Sequence, residues 1–556
     1  MKIILVAINA KYIHSSLAAY SLYAYLNEEE KKHVQIQEFT VNQSEEMIFS
    51  EILRQKPDAL AFSCYIWNIN MVMSLIESFK KILPATPIIV GGPEASYEYE
   101  ELLAIGADVV VQGEGEEHFR ELVRELAQTC HSNSQYCHSG LDPESSCNGL
   151  QAKPTTKSQS KLQDVVRTPP APLTDLDKIP FPYPQEKFQT LINRIIYYET
   201  SRGCVNRCGY CLSSATEGVR FLTLKRIISD LDKFLQECVK QVKFVDRTFN
   251  CNKAHAVAIW SHLINNDNGI TNFHFEIAGE LLDDEALYLL SKARKGLFQF
   301  EIGVQSTNPK TLEAIRRTTD TAKLFENVRK LNEFDNIHLH LDIIVGLPHE
   351  GYASFKQSFN DVFACRPHKL QVGFLKLLKG SQLRKDAVKY GIIYKKNAPY
   401  GVLQTNDITF EQVNHLKKIE HMVETFYSAT SFGSAVFFMI QSFDTPFDFF
   451  DALAVFWEEN DYHIVSHKKI AMYSILHKFA LKFLPEKIRT VCEKLKYDML
   501  LQENIRTFPD WINEYYQCDN RLITRNSAVH TFEEGQTLYF DYTLPIDNGR
   551  CSIYRG

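Results

Sequence analysis

Short apolar runs alternate with amphipathic stretches over the first 128 residues of the chain. The runs have the length of strands, and the stretches between them, such as residues 17–30 and 70–83, repeat apolar residues at helical spacing. Five runs occur, at residues 3–8, 34–41, 59–66, 88–90 and 108–111. Alternating strands and helices predict an α/β domain with a parallel sheet covered on both faces. Five strands favour the flavodoxin-like, doubly wound order, whose ligands bind beyond the carboxyl ends of the strands.

A second alternating region begins near residue 190 and contains six strand-like runs. They lie at residues 195–198, 242–249, 273–278, 298–305, 339–346 and 370–378. Helical stretches such as 224–239, 283–295 and 354–364 lie between them, so the pattern predicts six β/α units. Residues from about 405 to 515, including 413–427 and 470–483, have apolar positions at helical spacing, and residues 536–543 are typical of a strand.

Composition narrows the class of protein. The chain has 556 residues, enough for three or four domains, and its net charge of -7 argues against nucleic acid as a partner. The apolar run at the N-terminus has the length of a strand, with no signal-peptide pattern, and residues 429–439 are too short to span a membrane. Thirteen scattered cysteines suit a reducing compartment. We therefore expect a cytoplasmic protein with no membrane partner.

The region between the two alternating patterns has a different composition. Residues 130–163 are rich in Ser, Asn, Gln, Thr, Lys and Pro, which cannot bury enough apolar surface to order the segment. Residues 138–145, HSGLDPES, resemble a translated mobile repeat found inside bacterial genes, so the cysteines at 130, 137 and 147 are interpreted as incidental, with metal binding as the alternative. Residues 169–184 contain several prolines and predict an extended strap.

Three cysteines follow the first strand-like run of the second region. Cys204, Cys208 and Cys211 are close enough in sequence to point at one centre. Iron–sulfur clusters are held by cysteine thiolates, normally four per [4Fe–4S] cluster, so three ligands would leave one iron open to a substrate. A zinc site is the alternative, but no fourth Cys or His follows at an offset typical of zinc.

The pattern CxxxCx(aromatic)C, with Tyr210 as the aromatic residue, resembles the cluster-binding loop of the radical S-adenosylmethionine (SAM) superfamily. The resemblance implies a [4Fe–4S] cluster whose open iron chelates the amino and carboxylate groups of SAM. It also implies a (β/α)6 partial barrel, cleavage of SAM to a 5′-deoxyadenosyl radical, and an electron donor such as flavodoxin or ferredoxin.

The ends of the core strands are expected to bind SAM, because this edge carries the site in full barrels. Residues 244–249, FVDRTF, resemble the family pattern near the methionyl amino group. Residues 301–306, EIGVQS, resemble the segment near ribose and carboxylate, and residues 342–348 resemble the strand beside adenine. The residues predicted to bind SAM are Tyr210, Asp246, Glu276, Glu301, Gln305, Ser306 and Ile344. Structural hydrogen bonding inside the barrel remains the alternative for Glu276, Glu301 and Asp342, since a buried carboxylate needs a partner.

Two glycine-containing loops of the first region, VGGPE at 90–94 and GEGE at 113–116, resemble the cobalamin-binding domain that precedes many radical SAM cores. The residues predicted to bind cobalamin are Ser63, Cys64, Trp67, Gly91, Gly92, Gly113, Glu114 and Gly115. The alternative is that these glycines are ordinary turn residues and that Trp67 is a core aromatic.

The first loop departs from other cobalamin domains, because residues 9–14, NAKYIH, lack the DxHxxG motif whose His ligates cobalt. We therefore expect His14 to cap or pack the following helix, and cobalamin to bind without a protein histidine. Methylthiotransferases carry three cluster cysteines in a preceding domain. Cys64 is the single cysteine before position 130, which excludes a second cluster there.

The sequence thus predicts a cobalamin-binding domain at 1–129, a low-complexity insert at 130–168, a proline-rich linker at 169–189, a radical SAM core at 190–400 and a mostly helical domain at 401–556. The last resembles an uncharacterised helical extension of one cobalamin-dependent radical SAM subgroup. The expected reaction is methylation of an unactivated carbon or phosphorus centre. Radical rearrangement or ring closure of a small metabolite is one alternative, and a non-catalytic cobalamin or redox sensor is another. The sequence does not indicate the substrate.

Overall fold

The computed structural model describes residues 1–135, 165–167, 173, 175–215, 218–429, 431–502, 508–515, 527–531, 537–546 and 550–555. The chain folds into two compact units. The first comprises Met1–Glu301, Glu313–Ile337 and Leu375–Leu403, and the second comprises Ile302–Leu312, His338–Phe374 and Gln404–Gly556. Most of the predicted low-complexity insert, residues 136–164, lies outside the described residues.

The first unit begins with a parallel six-stranded sheet in the order β2-β1-β3-β4-β5-β6. Its strands are β1 (Ile3–Asn9), β2 (Val34–Thr40), β3 (Ala59–Ser63), β4 (Ile88–Gly91), β5 (Val109–Val111) and β6 (Val165–Arg167). Strands β1, β3 and β5 are buried along their whole length, which explains their continuous apolar sequences. The flavodoxin-like order predicted for the first five strands is confirmed.

Helices cover both faces of this sheet. They are α1 (Leu17–Ala24), α2 (Glu28–Lys31), α3 (Glu45–Arg54), α4 (Ile69–Ile82), α5 (Pro93–Ser96), α6 (Glu100–Ala104) and α7 (Glu116–Gln135). Alternate residues of β1 belong to two separate apolar clusters, one with α3 and α4 and the other with α1 and α7. The predicted stretch 17–30 is divided, because Asn27 caps α2 with a reciprocal Glu30 bond.

Strand β6 is an element that the sequence analysis did not predict, since it assigned residues 165–167 to the insert. Val165 and Val166 pair with β5, and the backbone N–H of Gln112 donates to the carbonyl of Arg167 at 2.9 Å. The Arg167 guanidinium lies 2.7 Å from the Glu125 carboxylate on α7. The α/β fold therefore includes residues on both sides of the low-complexity segment.

The second sheet has six strands in the order β14-β13-β12-β11-β10-β7. They are β7 (Ile195–Tyr198), β10 (Gln241–Phe244), β11 (Asn272–Ile277), β12 (Phe298–Gln305), β13 (His338–Val345) and β14 (Lys369–Phe374). A hairpin of β8 (Ser201–Gly203) and β9 (Val219–Phe221) follows β7. Within the first unit β10 pairs in parallel with β7 and β11, and within the second β13 pairs in parallel with β14. The predicted run 242–249 ends as a strand at Phe244, where a polar loop begins.

Helices connect these strands as the sequence predicts. They are α8 (Phe188–Leu191), α9 (Leu224–Gln236), α10 (Lys253–Asn265), α11 (Asp284–Leu290), α12 (Pro309–Ala314), α13 (Thr321–Phe334), α14 (Tyr352–Phe363) and α15 (Gln382–Lys385). Strand β15 (Ile393–Tyr394) pairs with β16 (Val402–Gln404). Six strands joined by helices agree with the expected (β/α)6 core.

The C-terminal region of the second unit is mostly helical, as predicted. Its helices are α16 (Phe410–Val423), continued by a π-helical turn at Glu424–Ser428, α17 (Gly433–Ile440), α18 (Pro446–Glu459), α19 (Lys469–Phe483), α20 (Ile488–Gln502) and α21 (Asp510–Tyr515). The Asp498 carboxylate accepts from the backbone N–H groups of Ser434 and Ala435 at the start of α17, which suits the positive end of a helix.

Three antiparallel strands follow these helices: β17 (Ser527–Thr531), β18 (Thr537–Ile546) and β19 (Arg550–Arg555). The run predicted at 536–543 corresponds to β18. Among the helices of the described residues, none is both long enough and apolar enough to cross a membrane.

Candidate cofactor site

The cysteine loop lies between the two paired strands β8 and β9. Gly203 has φ of +106°, and a Cβ at this position would collide with the carbonyl oxygen of Gly218 on the returning strand. Only glycine combines this backbone conformation with such a close approach. The hairpin therefore fixes the direction of the chain immediately before Cys204.

The three predicted ligands lie on one loop and form no disulfide. Cys208 is buried, while Cys204 and Cys211 are partly exposed. Backbone N–H groups of Asn206 and Ser213 lie 3.4 Å from the sulfur atoms of Cys204 and Cys211, respectively. Hydrogen bonds from backbone N–H groups stabilise thiolates and tune iron–sulfur centres. This donor set fits a cluster held by three cysteines.

The middle of the loop is fixed to later parts of the first unit. The N–H of Gly209 donates to the Ile315 carbonyl at 2.8 Å, and the Gly209 carbonyl accepts from the N–H of Leu383 at 2.7 Å. Burial raises the pKa of the Cys208 thiol, and the Arg317 guanidinium, 3.9 Å from its sulfur, opposes that rise. Burial also raises the pKa of Tyr210, the aromatic residue of the motif.

Asp246 anchors the strand that leads into the loop. Its carboxylate is 1% exposed and accepts from the Thr200 N–H at 3.0 Å, the Thr200 hydroxyl at 2.6 Å and the Ser201 hydroxyl at 2.5 Å. Burial raises the pKa of Asp246, and these three donors oppose the rise. The side chain thus positions the cluster loop, and contact with the methionyl group of SAM stays a prediction.

The carboxylates predicted in the barrel have the partners that burial requires. Glu301 accepts from Lys243 Nζ at 2.9 Å and lies 3.1 Å from His274 Nε2, so its carboxylate is held by two neighbouring strands. In the second unit, Asp342 lies 2.8 Å from His340 Nε2. Glu301 thus accepts a hydrogen bond and Asp342 has a close imidazole contact, which favours a structural role for both carboxylates.

The other residues predicted to bind SAM lie at the expected strand ends. Glu276 is half-buried on β11, and Ile344 is half-buried on β13. Gln305 ends β12 with φ of +72°. Ser306 is fully buried, and its hydroxyl accepts from the backbone N–H of Asn308 at 3.0 Å. Their binding of SAM stays a prediction.

An aromatic surface follows β3 at the carboxyl edge of the first sheet. Trp67 is 46% exposed, its indole N–H donates to the Ile8 carbonyl at 3.0 Å, and its ring stacks on Tyr65 with centroids 4.4 Å apart. An exposed, stacked indole is not a core aromatic, so the alternative for Trp67 is wrong. Tyr65 was missed by the sequence analysis, although it lies two residues before Trp67. Burial raises the pKa of Tyr65 to about 12.

The loops after β3 and β4 pack tightly against each other. Gly92 has φ of +105°, and a Cβ there would lie 2.7 Å from the Cys64 carbonyl oxygen. Ser63 is 8% exposed and Cys64 is fully buried, while Gly91 packs beside Val111. The Cys64 thiol is part of the core, and its backbone carbonyl lies against Gly92. Contact between these loop residues and cobalamin stays a prediction.

The GEGE turn after β5 is joined to the cysteine hairpin. Glu114 pairs with Arg220 on β9, lies 3.4 Å from Arg202 on β8 and accepts from the Leu173 N–H at 3.0 Å. Gly113 donates its N–H to the Ser96 hydroxyl at 3.0 Å, and Gly115 leaves room for a leucine side chain of α1. Both oxygens of Glu114 thus have arginine partners, which the sequence analysis did not anticipate.

Arg202, on β8 of the cysteine hairpin, contacts the GEGE turn. Besides Glu114, its guanidinium contacts Glu199 Oε2 at 2.8 Å and Glu116 Oε1 at 2.5 Å. The nearby carboxylates Glu199 and Glu116 raise the pKa of Arg202 against the effect of burial. Burial raises the pKa of Glu199, and Arg202 opposes that rise. The network fixes the loop after β5 to the strand before Cys204.

His14 does not cap the following helix, because Ser16 accepts from the Ala19 N–H there. The His14 Nδ1 atom is instead 2.7 Å from the Tyr197 hydroxyl on β7. Burial, followed by Lys11 and Lys243, lowers the pKa of His14. The residue therefore packs against the barrel strand, which corrects the expected contact with α1.

Comparison with family models divides the chain into three parts. Residues 3–123 match the B12 binding domain, residues 198–362 match the radical SAM superfamily, and residues 388–537 match a family described as a protein of unknown function (DUF4080). The first two matches cover the aromatic surface, the GEGE turn and the three cysteines.

Curated relatives carry related names. The 2-(S-pantetheinyl)-carbapenam-3-carboxylate methyltransferase of Streptantibioticus cattleyicolor is 28% identical over 345 residues, which cover 56% of this chain and 46% of that protein. The cobalamin-dependent radical SAM methyltransferase TokK of Streptomyces tokunonensis is 25% identical over 352 residues, which cover 61% of this chain and 50% of that protein. The matched segments thus span about half the length of these relatives.

A solved structure shows a similar fold. The cobalamin-dependent S-adenosylmethionine radical enzyme OxsB with aqua-cobalamin bound superimposes with a TM-score of 0.57 at 14% identity. The match covers 90% of this chain and 79% of that chain. At this identity the likeness concerns the fold alone.

Proposed function

We propose that this chain, a radical SAM protein with an N-terminal cobalamin-binding domain, methylates an unactivated carbon or phosphorus centre of a substrate. The observation that carries the proposal is the network in which Arg202, two residues before Cys204, binds carboxylates of the turn after β5. It joins the loop suited to a cluster to a loop at the ligand-binding edge of the first sheet. Two relatives named as methyltransferases support the same reaction class.

The protein residues hold and orient the cofactors, which carry the difficult chemistry. When bound, the cluster supplies the electron that cleaves SAM, and cobalamin carries the methyl group. Cys204, Cys208 and Cys211 bind the cluster, while Asp246 fixes the strand that leads to them. Tyr65 and Trp67 offer a flat surface to the corrin ring.

We further propose a cytoplasmic location and a small electron-transfer protein, such as flavodoxin or ferredoxin, as the partner. The nine cysteines whose side chains the structure describes form no disulfide, which suits a reducing compartment. Val205, directly after the first cluster cysteine, is 55% exposed, and Arg207 nearby is exposed too. These side chains offer an apolar and cationic contact beside the cluster loop.

The reaction class is tested with methyl-labelled SAM on the anaerobically reconstituted full chain. We expect both 5′-deoxyadenosine and S-adenosylhomocysteine, because radical generation and methyl transfer each consume SAM. The formation of S-adenosylhomocysteine should depend on added cobalamin, which carries the methyl group. Cys204→Ala is the control and should give neither product. 5′-Deoxyadenosine without S-adenosylhomocysteine would contradict methyl transfer and favour rearrangement, and the absence of SAM turnover would favour a sensor.

His14→Ala should leave the electron paramagnetic resonance spectrum of the Co(II) form unchanged. We expect cobalamin to bind with its dimethylbenzimidazole base displaced and with no histidine on cobalt, since His14 Nδ1 contacts the Tyr197 hydroxyl and the loop lacks DxHxxG. The wild-type spectrum should therefore lack nitrogen superhyperfine splitting. His33→Ala, a change at another half-buried imidazole of the same domain, is the matched control. An axial nitrogen signal that disappears in His14→Ala would show that His14 is a cobalt ligand.

A further inference from the structure

Within the described part of the chain, one carboxylate oxygen beside Arg202 has no hydrogen-bond partner. Glu116 opens α7 and is 5% exposed, and its Oε1 atom accepts from the Arg202 guanidinium at 2.5 Å. Among the described residues, no donor forms a hydrogen bond with its Oε2 atom. A buried charged acceptor without a donor loses the hydrogen bonds that water would supply, so this oxygen atom indicates a ligand group.

The contrast with the neighbouring carboxylate makes this feature specific. Glu114, two residues earlier, has arginine contacts to both oxygens and a third bond from the Leu173 N–H. Its acceptor capacity is used within the protein. Glu116 keeps one oxygen for a further donor, and the start of a 20-residue helix stabilises its negative charge.

The surroundings of Glu116 indicate the kind of donor. Glu116 begins the helix that follows β5, and the aromatic surface follows β3. Burial raises the pKa of Tyr65, and the charge of Glu116 contributes to that rise. Both elements lie at the carboxyl edge of the first sheet, where doubly wound folds bind ligands. Three carboxylates surround Arg202, which makes this position unfavourable for an anionic ligand group. A ligand that has a flat ring for the aromatic surface and a neutral N–H donor for Glu116 fits these surroundings.

We propose that Glu116 Oε2 accepts a hydrogen bond from a primary amide at the rim of the corrin ring. The inference rests on the proposed function, since it requires cobalamin in the first domain. The corrin periphery carries primary amides, which are neutral N–H donors. Because the other Glu116 oxygen holds Arg202, the same side chain joins the corrin rim to the strand before Cys204.

The test compares Glu116→Gln with Glu117→Gln in the full chain with its cluster reconstituted. Glu117 is the adjacent, exposed residue of α7 and serves as the matched control. Equilibrium binding of hydroxocobalamin should weaken about tenfold or more in Glu116→Gln, because a hydrogen bond to a charged acceptor is lost. The NH2 group of the substituted side chain can also face the N–H donor of the corrin amide. Glu117→Gln should bind as the wild type does, and iron content should stay the same in both variants.

A second measurement uses the wild-type protein and does not depend on folding of the variant. Cobalamin derivatives, each with one peripheral amide hydrolysed to a carboxylate, are compared with cobalamin itself. The derivative whose carboxylate faces Glu116 should bind at least tenfold more weakly, because two carboxylates repel each other.

The outcomes separate this inference from the proposed function. Wild-type affinity in Glu116→Gln, or equal affinity for every derivative, would overturn the role of Glu116 alone. A wild-type chain that retains no cobalamin would overturn the proposed function and this inference together.

Discussion

Replacing Cys204, Cys208 and Cys211 together by Ala should give a protein without iron. Wild-type protein reconstituted under anaerobic conditions should hold about four irons per chain, because three cysteines on one loop support a [4Fe–4S] cluster. Each single replacement should abolish SAM cleavage. Iron analysis, the brown absorbance of the cluster and 5′-deoxyadenosine formation provide the measurements.

Cys238→Ala is the matched control, because this thiol is free and exposed elsewhere in the first unit. It should retain the iron and the SAM cleavage of the wild type. A triple variant that still holds four irons would show that other residues bind the cluster.

Changing Asp246 to Ala should destabilise the first unit by about 3 kcal/mol or more and reduce iron incorporation. The change leaves the Thr200 N–H and the hydroxyls of Thr200 and Ser201 without their buried acceptor. Asp246→Asn should be milder, since the amide oxygen can accept from the N–H while the two hydroxyls turn to accept from the amide nitrogen. Denaturant unfolding and iron content are the readouts.

Asp284→Ala is the control, because the Asp284 carboxylate is 96% exposed. The relative stability and iron content of Asp246→Ala and Asp246→Asn distinguish a positioning role from SAM binding. If Asp246 bound the positive methionyl amino group, Asn and Ala would both abolish SAM binding while the fold stayed intact, and that result would contradict the positioning role.

The elements visible in the sequence were those with a strong local pattern. Strand β1 appears as a continuous apolar run and β12 as an alternation of apolar and polar residues, and the cysteine motif is local, so all three could be recognised without a structure. Strand β6 was missed because three residues, Val165–Arg167, are too few to show a period, and its pairing partner lies more than fifty residues away.

The contacts that complete the site are long-range, which explains why sequence reasoning did not find them. Arg202 contacts Glu114 and Glu116, which lie more than eighty residues earlier in the chain. A pairing of this kind leaves no periodic pattern in the sequence. The partners of Glu301 could have been proposed from neighbouring strands once their order was known, because Lys243 and His274 occupy matching positions on β10 and β11. Tyr65 was overlooked beside the larger Trp67.

The collision that a Cβ would cause at Gly203 also limits how this gene can vary. Every amino-acid substitution at position 203 adds a Cβ, so no missense change in that codon avoids the Gly218 carbonyl. A genome search for proteins with this loop would therefore be more selective if its pattern began at the glycine, one residue upstream of the first cysteine.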